Sequence, residues 1–271
     1  MRREGFLAYG ARQMTECVCA LEACLSALAP DDLRAVEDAL AAAHRLQTCL
    51  TLFAKGYPSP RVALWKHRLR RIVRALNALR DCLRLAEWIA AQQPPPECAA
   101  GVRRALLRLH QRAETLHQTL RQAQQRWRDD HIPNEIKGLS RRWIQSFGDE
   151  AVDPDYALWV WRRFRREQLA ALESPAPSLA VRCGRVRAVL EACDLLAPLG
   201  LSLEYPDDLQ ARSDALDAQR FRDEAHRLLR ELLQGERERA LQYAGNLRGF
   251  GRIQKGWEWL MEHIGLDIIP S

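Results

Sequence analysis

The chain has 271 residues, 47% of them hydrophobic, with eight cysteines, a net charge of +6 and a pI near 9.0. That length and apolar content suffice for a core without disulfide or metal staples, and no run approaches the roughly 18 apolar residues of a membrane span. The opening MRREGFLAYGARQMTE has no apolar leader block, so a cytoplasmic protein without membrane association is expected.

Every long segment repeats its apolar residues at the helical period, and no alternating strand pattern occurs. The first helix is expected over about residues 5 to 28. A second begins after Pro30 with Asp31 as its cap and runs to about residue 55. In the YPSP loop Ser59 caps and Pro60 opens a third helix reaching about residue 91. After QQPPPE a fourth carries Val102, Leu106, Leu109, Ala113, Leu116, Leu120, Ala123 and Trp127 at alternating steps of four and three. RDDHIPNEIKGLSRRWIQSFGDE reads as a connector holding one short helix. Asp153 and Pro154 then start a further helix that SPAP ends, and others follow over about 178 to 197, 214 to 243 and 252 to 265. Short links between long helices imply antiparallel neighbours. The expected class is therefore all-α: one antiparallel bundle over 1–130, a connector over 131–152 and a second bundle over 153–271.

The charge is uneven. Residues 61 to 128 hold fifteen Lys/Arg against four Asp/Glu, a balance of +11, which leaves the remainder at −5. A field of that sign attracts polyanions, while a solvated arginine-rich surface is the plainer account. The cysteines include no C-x-x-C pair and mostly sit among Leu and Ala in helical patterns, so reduced thiols are expected in place of zinc ligands or disulfides.

The stretch RLRRIVRALNALRDCLRLAEWI (68–89) contains an anomaly. With Leu76 at the centre of the apolar arc, Arg80 falls only about 40° from it, within the arc of Leu69, Ile72, Val73, Leu79 and Leu83. A guanidinium there needs a carboxylate, helix-end carbonyls or an external anion. Asp81 lies about 140° away on the same wheel, so Glu37 or Asp38 of the preceding helix is the expected counter-charge.

The pair VEDALAAAHRLQTCLTLF (36–53) and RLRRIVRALNALRDCL (68–83) resembles the first repeat of CHAD domains, the conserved-histidine α-helical domains. Val36, Arg45, Leu46, Leu50, Leu52 and Phe53 match the first family helix, and Arg70, Ile72, Arg74, Leu76, Arg80 and Asp81 the second. The resemblance implies two helical bundles related by a pseudo-twofold axis, with a groove whose His, Arg and Lys bind inorganic polyphosphate, in some members at polyphosphate granules. On the first helix Glu37, Leu40, His44, Gln47 and Thr51 occupy the family's basic positions. VRCGRVRAVLEAC (181–193) resembles the second repeat through Arg187 and Glu191, with Pro177 at its histidine position, and Arg237-Glu238 stand where that repeat closes with Asn-Asp.

Replacement cations are available on the fourth helix, where Arg103, His110, His117, Arg121 and Arg128 project along one flank, and on the third, where Lys66, Arg70 and Arg74 form a row. Arginine's planar fork suits phosphate oxygens. The candidate polyanion contacts are His44, Arg45, Lys66, Arg70, Arg74, Arg80, Arg103, His110, His117 and Arg121. WRRFRRE (161–167) interleaves aromatic and basic residues as single-stranded nucleic-acid platforms do, but Trp161, Phe164 and Gln168 share one helical side and suit core packing. Asp129-Asp130-His131 lacks the spacing of a metal site. ERERA (236–240) lacks the lysine of the E-x-E-x-K signature, and no Gly-rich phosphate loop, G-x-S-x-G or H-E-x-x-H occurs. The expectation is a non-catalytic polyphosphate binder with no cofactor and no catalytic or metal residues. The alternative is a scaffold for a partner protein that keeps the fold without the ligand. Nucleic acid is disfavoured because no groove-reading motif is present.

Overall fold

Helix capping sets the register at the start of the chain. In the computed structural model Asp32, one residue later than the expected Asp31, closes the second helix by accepting the Ala35 amide at 2.9 Å. The structure describes residues 3–29, 31–173, 178–205, 207–244 and 249–264. Pro30, the SPAP stop at 174–177 with Pro177, and the expected helix end at 265 lie outside them. Among the described residues there are no strands, and the helices are α1 (Glu4–Ala27), α2 (Leu33–Leu52), α3 (Ser59–Ala90), α4 (Ala99–Asp129), α5 (Ile132–Phe147), α6 (Pro154–Glu173), α7 (Leu179–Leu196), α8 (Leu209–Ala244) and α9 (Phe250–His263). The protein is all-α. Asp153 opens α6 as expected, accepting the Asp155 and Tyr156 amides at 3.0 and 3.3 Å.

Residues 1–76 with 119–216 form one compact unit, and 77–118 with 217–271 form another. They are interleaved along the chain, because α3, α4 and α8 each contribute a stretch to both. The sequence partition into 1–130, 131–152 and 153–271 is instead one of consecutive segments.

In the first unit α1 packs on α2 and α5, α2 also packs on α6 and α7, and α6 packs on α7. The core holds Phe6, Met14, Leu21, Leu46, Phe53, Trp65, Trp127 and Trp161, each almost wholly removed from solvent. The segment read as a connector is a substantial part of this core: α5 runs for 16 residues and buries Ile132, Ile136 and Ser140. Ser140 shares a 2.7 Å hydrogen bond with Tyr57, and Glu135 accepts the Trp65 indole at 2.8 Å and pairs with Arg61 at 3.1 Å. The eight cysteines are free thiols, and Cys17 and Cys49, both buried, have their sulfurs 3.5 Å apart.

In the second unit α3 meets α4 and α8, and the start of α4 meets α9. The Cys82 thiol reaches the Leu109 carbonyl at 3.3 Å, and the Arg84 guanidinium lies 4.4 Å from the Phe221 ring centroid. α4 and α9 approach until their backbones touch at Gly101 and Gly256. A Cβ on Gly101 would fall on the Ile253 carbonyl and 2.8 Å from the Gly256 Cα, so neither position has room for a side chain.

Arg80 lies in this unit, and its counter-charge corrects the expectation of Glu37 or Asp38. It is Asp81. Arg80 Nε and Nη2 donate to Asp81 Oδ1 at 3.1 and 2.9 Å, and Arg220 of α8 grips both carboxylate oxygens at 2.8 and 3.1 Å. The wheel argument assumed one buried arc and one wet one. Here Leu79, Arg80, Asp81, Cys82 and Leu83 are all buried in succession, so the helix is covered on every side and a polar face has to be satisfied inside the protein.

Candidate anion-binding site

Two turns of α2 present His44, Gln47, Thr48 and Thr51 on one face, at steps of three and four residues. That face forms one wall of a cavity of about 390 Å³ in the first unit. α3 adds Lys66 and Arg70 one turn apart, α6 adds Phe164 and Gln168, and α7 adds Gly184, Arg185, Arg187 and Ala188. Among the described residues, the lining thus contains four obligate or near-obligate cations and a histidine, together with amides and hydroxyls, and no carboxylate.

Arg70 and Arg185 donate to neutral acceptors. Arg70 Nε donates to the Lys66 carbonyl at 3.2 Å, and Arg185 Nη1 to the Gln168 amide oxygen at 3.1 Å. Arg187 Nη1 lies 3.0 Å from His44 Nε2. A guanidinium can only donate, so that imidazole nitrogen accepts and the ring is uncharged in this arrangement. Burial, and after it the neighbouring Arg70 guanidinium, hold the Lys66 ammonium below the usual lysine value. Like charges at i and i+4 cost a helix a few tenths of a kcal/mol. An anion in the cavity offsets that cost.

An acid on α7 is shared by Arg187 and Arg45. Glu191, one turn beyond Arg187 on α7, meets Arg45 of α2 at 3.9 Å. Burial raises its carboxyl above the ordinary value while Arg45 pulls it back. Arg45 also sits beside the Cys17–Cys49 pair, where the Cys49 hydrogen bond, and then Arg45, lower the Cys17 thiol.

Of the ten sequence candidates, His44, Lys66 and Arg70 line the cavity. Arg45 backs it through Glu191. Arg74 is exposed one turn past Arg70, its Nε on the Arg70 carbonyl at 3.4 Å, and Arg121 is exposed on the first-unit stretch of α4. The other four belong to the second unit. Arg103 and His110 are exposed, Arg80 is neutralised by Asp81, and His117 is only 7% exposed, so the flank read along α4 is not solvent-facing throughout. Sequence reasoning named Arg187 only as a repeat match and missed Arg185. The available signal was VRCGRVRAV, where a glycine and two arginines interrupt the apolar face of a helix. In the second unit it missed Glu236, which is 4% exposed and collects Arg104 at 2.9 Å, Arg108 and Arg239 at 2.8 Å.

The CHAD domain model matches residues 12–157, more than half of the sequence, and includes the α2 and α3 walls of the cavity. The chain belongs to the CHAD family. Its fold is similar to the crystal structure of the CHAD domain from the plant Ricinus communis, with a TM-score of 0.63 at 14% identity over 96% of this chain and 87% of that one. No curated protein matches the sequence. In this CHAD chain the family's basic stripe on the first motif helix points into the cavity through His44, Gln47 and Thr51, while Glu37 is exposed and Leu40 is packed in the core. The positive charge of the cavity comes from α3 and α7. Among the described residues no group of three His, Cys, Asp or Glu is placed to hold a metal, and no helix is long and apolar enough to cross a membrane.

Proposed function

We propose that this CHAD protein binds inorganic polyphosphate, or a comparably phosphate-rich anion, without catalysing a reaction, in the cytoplasm and at polyphosphate granules. One observation carries the reading: Lys66, Arg70, Arg185 and Arg187 converge on a cavity whose walls, among the described residues, contain no carboxylate. The general association of CHAD domains with phosphate-rich ligands supports it. So does the choice of arginine for three of the four cations, since a planar fork engages two phosphate oxygens at once. The thermodynamic argument is that four cations crowded on one cavity, three of them partly buried, are stabilised by an incoming polyanion more than by water.

The test is a binding titration of the full chain with polyphosphate of increasing length, single-stranded RNA and duplex DNA, at low and high salt. Polyphosphate is expected to bind with an affinity that rises with chain length, exceeds that of both nucleic acids at equal salt, and falls steeply as salt increases. Absence of binding to every polyanion at low salt would exclude this function. It would favour the competing reading of a helical module for a partner protein, for which Glu37 and Leu40 at two of the family's basic positions are the specific support.

A further inference from the structure

A second, smaller cleft of about 190 Å³ adjoins the basic cavity in the first unit, and Thr51 and Phe164 belong to the walls of both. Its chemistry is different. Tyr156, Trp159 and Phe164 give it an aromatic wall, and Lys55, Arg163 and Glu167 are its charged lining residues. Trp159 is 41% exposed, the only one of the eight tryptophans that is exposed, whereas Trp65, Trp127, Trp161 and Trp257 are sealed in the core. It lies nearly parallel to Tyr156, with ring centroids 5.8 Å apart at 29°. Lys55 Nζ sits 4.8 Å from its centroid and the Arg163 guanidinium 5.8 Å, the latter also paired with Glu167 at 2.8 Å.

A bare phosphate chain has no use for such a surface. An indole kept in water beside two cations suits a ligand that is flat and aromatic at one end and anionic at the other, because a planar heterocycle gains stacking on Trp159 and the cations meet the charge that follows it. The cleft alone is below the roughly 300–1,000 Å³ of a complete small-molecule site, whereas cleft and cavity together fall within that range. We propose that the Trp159 cleft receives the base of a nucleoside polyphosphate whose phosphate chain enters the cavity at Lys66 and Arg70. The inference rests on the anion-binding reading of that cavity and specifies a ligand class for it.

The experiment compares ATP, inorganic tripolyphosphate, long-chain polyphosphate and a short unphosphorylated single-stranded RNA in calorimetric titrations of the full chain at one ionic strength, with tryptophan fluorescence as a second readout. ATP is expected to bind about tenfold more tightly than tripolyphosphate and to quench tryptophan emission, which tripolyphosphate leaves unchanged. Trp159→Leu is expected to bring ATP down to the affinity of tripolyphosphate without altering tripolyphosphate binding, and Trp159→Phe to restore part of the difference. Equal affinities for ATP and tripolyphosphate in the unaltered protein would overturn the inference while leaving the anion site intact, and that comparison needs no variant. Unphosphorylated RNA binding more tightly than ATP would overturn it in favour of an oligonucleotide surface. Failure of ATP, tripolyphosphate and long-chain polyphosphate alike would remove it together with the function it rests on.

Discussion

The buried acids of the second unit and the basic cavity of the first use arginine in opposite ways. In the second, two buried carboxylates each gather several guanidiniums: Asp81 holds Arg80 and Arg220, and Glu236 holds Arg104, Arg108 and Arg239. In the first, Lys66, Arg70, Arg185 and Arg187 share a cavity with amides, hydroxyls and an imidazole. Arginine supplies the positive charge in both places. What separates a structural cation from a binding cation is whether the fold delivers a carboxylate to it, and that is a property of tertiary neighbours.

This contrast can be broken most forcefully at Asp81. Burial pushes its carboxyl up, to about 6, against the pull of Arg80, so at pH 7 it is ionised and serves two buried guanidiniums. Asp81→Asn is expected to lower the unfolding free energy by about 3 kcal/mol, read from urea midpoints, because the buried Arg80 loses its charge partner while Arg220 keeps only Asp217 at 3.8 Å. Arg80→Met should cost less, since Arg220 still meets the carboxylate. An Asp81→Asn protein as stable as the unaltered chain would show that the pair is not structural. The cavity should behave in the reverse sense. Arg70→Gln with Arg185→Gln is expected to weaken polyphosphate binding by about a hundredfold, a tenfold loss for each phosphate contact, while stability stays level or rises by a few tenths of a kcal/mol as the Lys66–Arg70 repulsion is relieved. A large fall in stability without a fall in affinity would reverse the assignment of the two regions.

Smaller effects sharpen the same comparison. With its ammonium held below the ordinary lysine value, Lys66 loses its charge at lower pH than a free lysine would. Polyphosphate affinity should therefore begin to fall on the alkaline side before ordinary lysines deprotonate, and Lys66→Arg should abolish that decline in a pH series of titrations. The weakest effect is expected at the exposed pair Arg103 and His110. Replacing both by Gln should change affinity by less than about twofold and stability by less than about 0.5 kcal/mol. A tenfold loss there would extend the ligand's path to the second unit.

The helices were legible because their apolar residues recur at the helical period and their starts carry caps. The expected ends fall within a few residues of those observed for α1, α2, α3, α7 and α9, and the second cap was displaced only from Asp31 to Asp32. α8 was less accurate at its start, where its first turn, from Leu209, follows no cap that sequence reasoning recognised. α5 was underestimated because its inner face relies on Ser140 and the indole of Trp143 as much as on isoleucine, and polar residues that bury by finding Tyr57 and the Gly56 carbonyl carry no apolar signature. Of the cavity lining, the family pattern had pointed to His44 and Arg70, and the helical row on α3 to Lys66. Arg185 was invisible because its value comes from sharing a cavity with residues more than a hundred positions away. Arg80 was correctly singled out as anomalous and wrongly partnered, since a wheel drawn for a half-wet helix says nothing about one enclosed by protein.

The contact of Gly101 with Gly256 has a consequence for the last helix. With only hydrogens between the two main chains, α9 has a single seat against α4, and sliding it one residue either way would bring a β-carbon against a carbonyl. The closing segment therefore works as a keyed plug: a grafted helix of matching polarity but lacking that glycine would find the socket too shallow to enter.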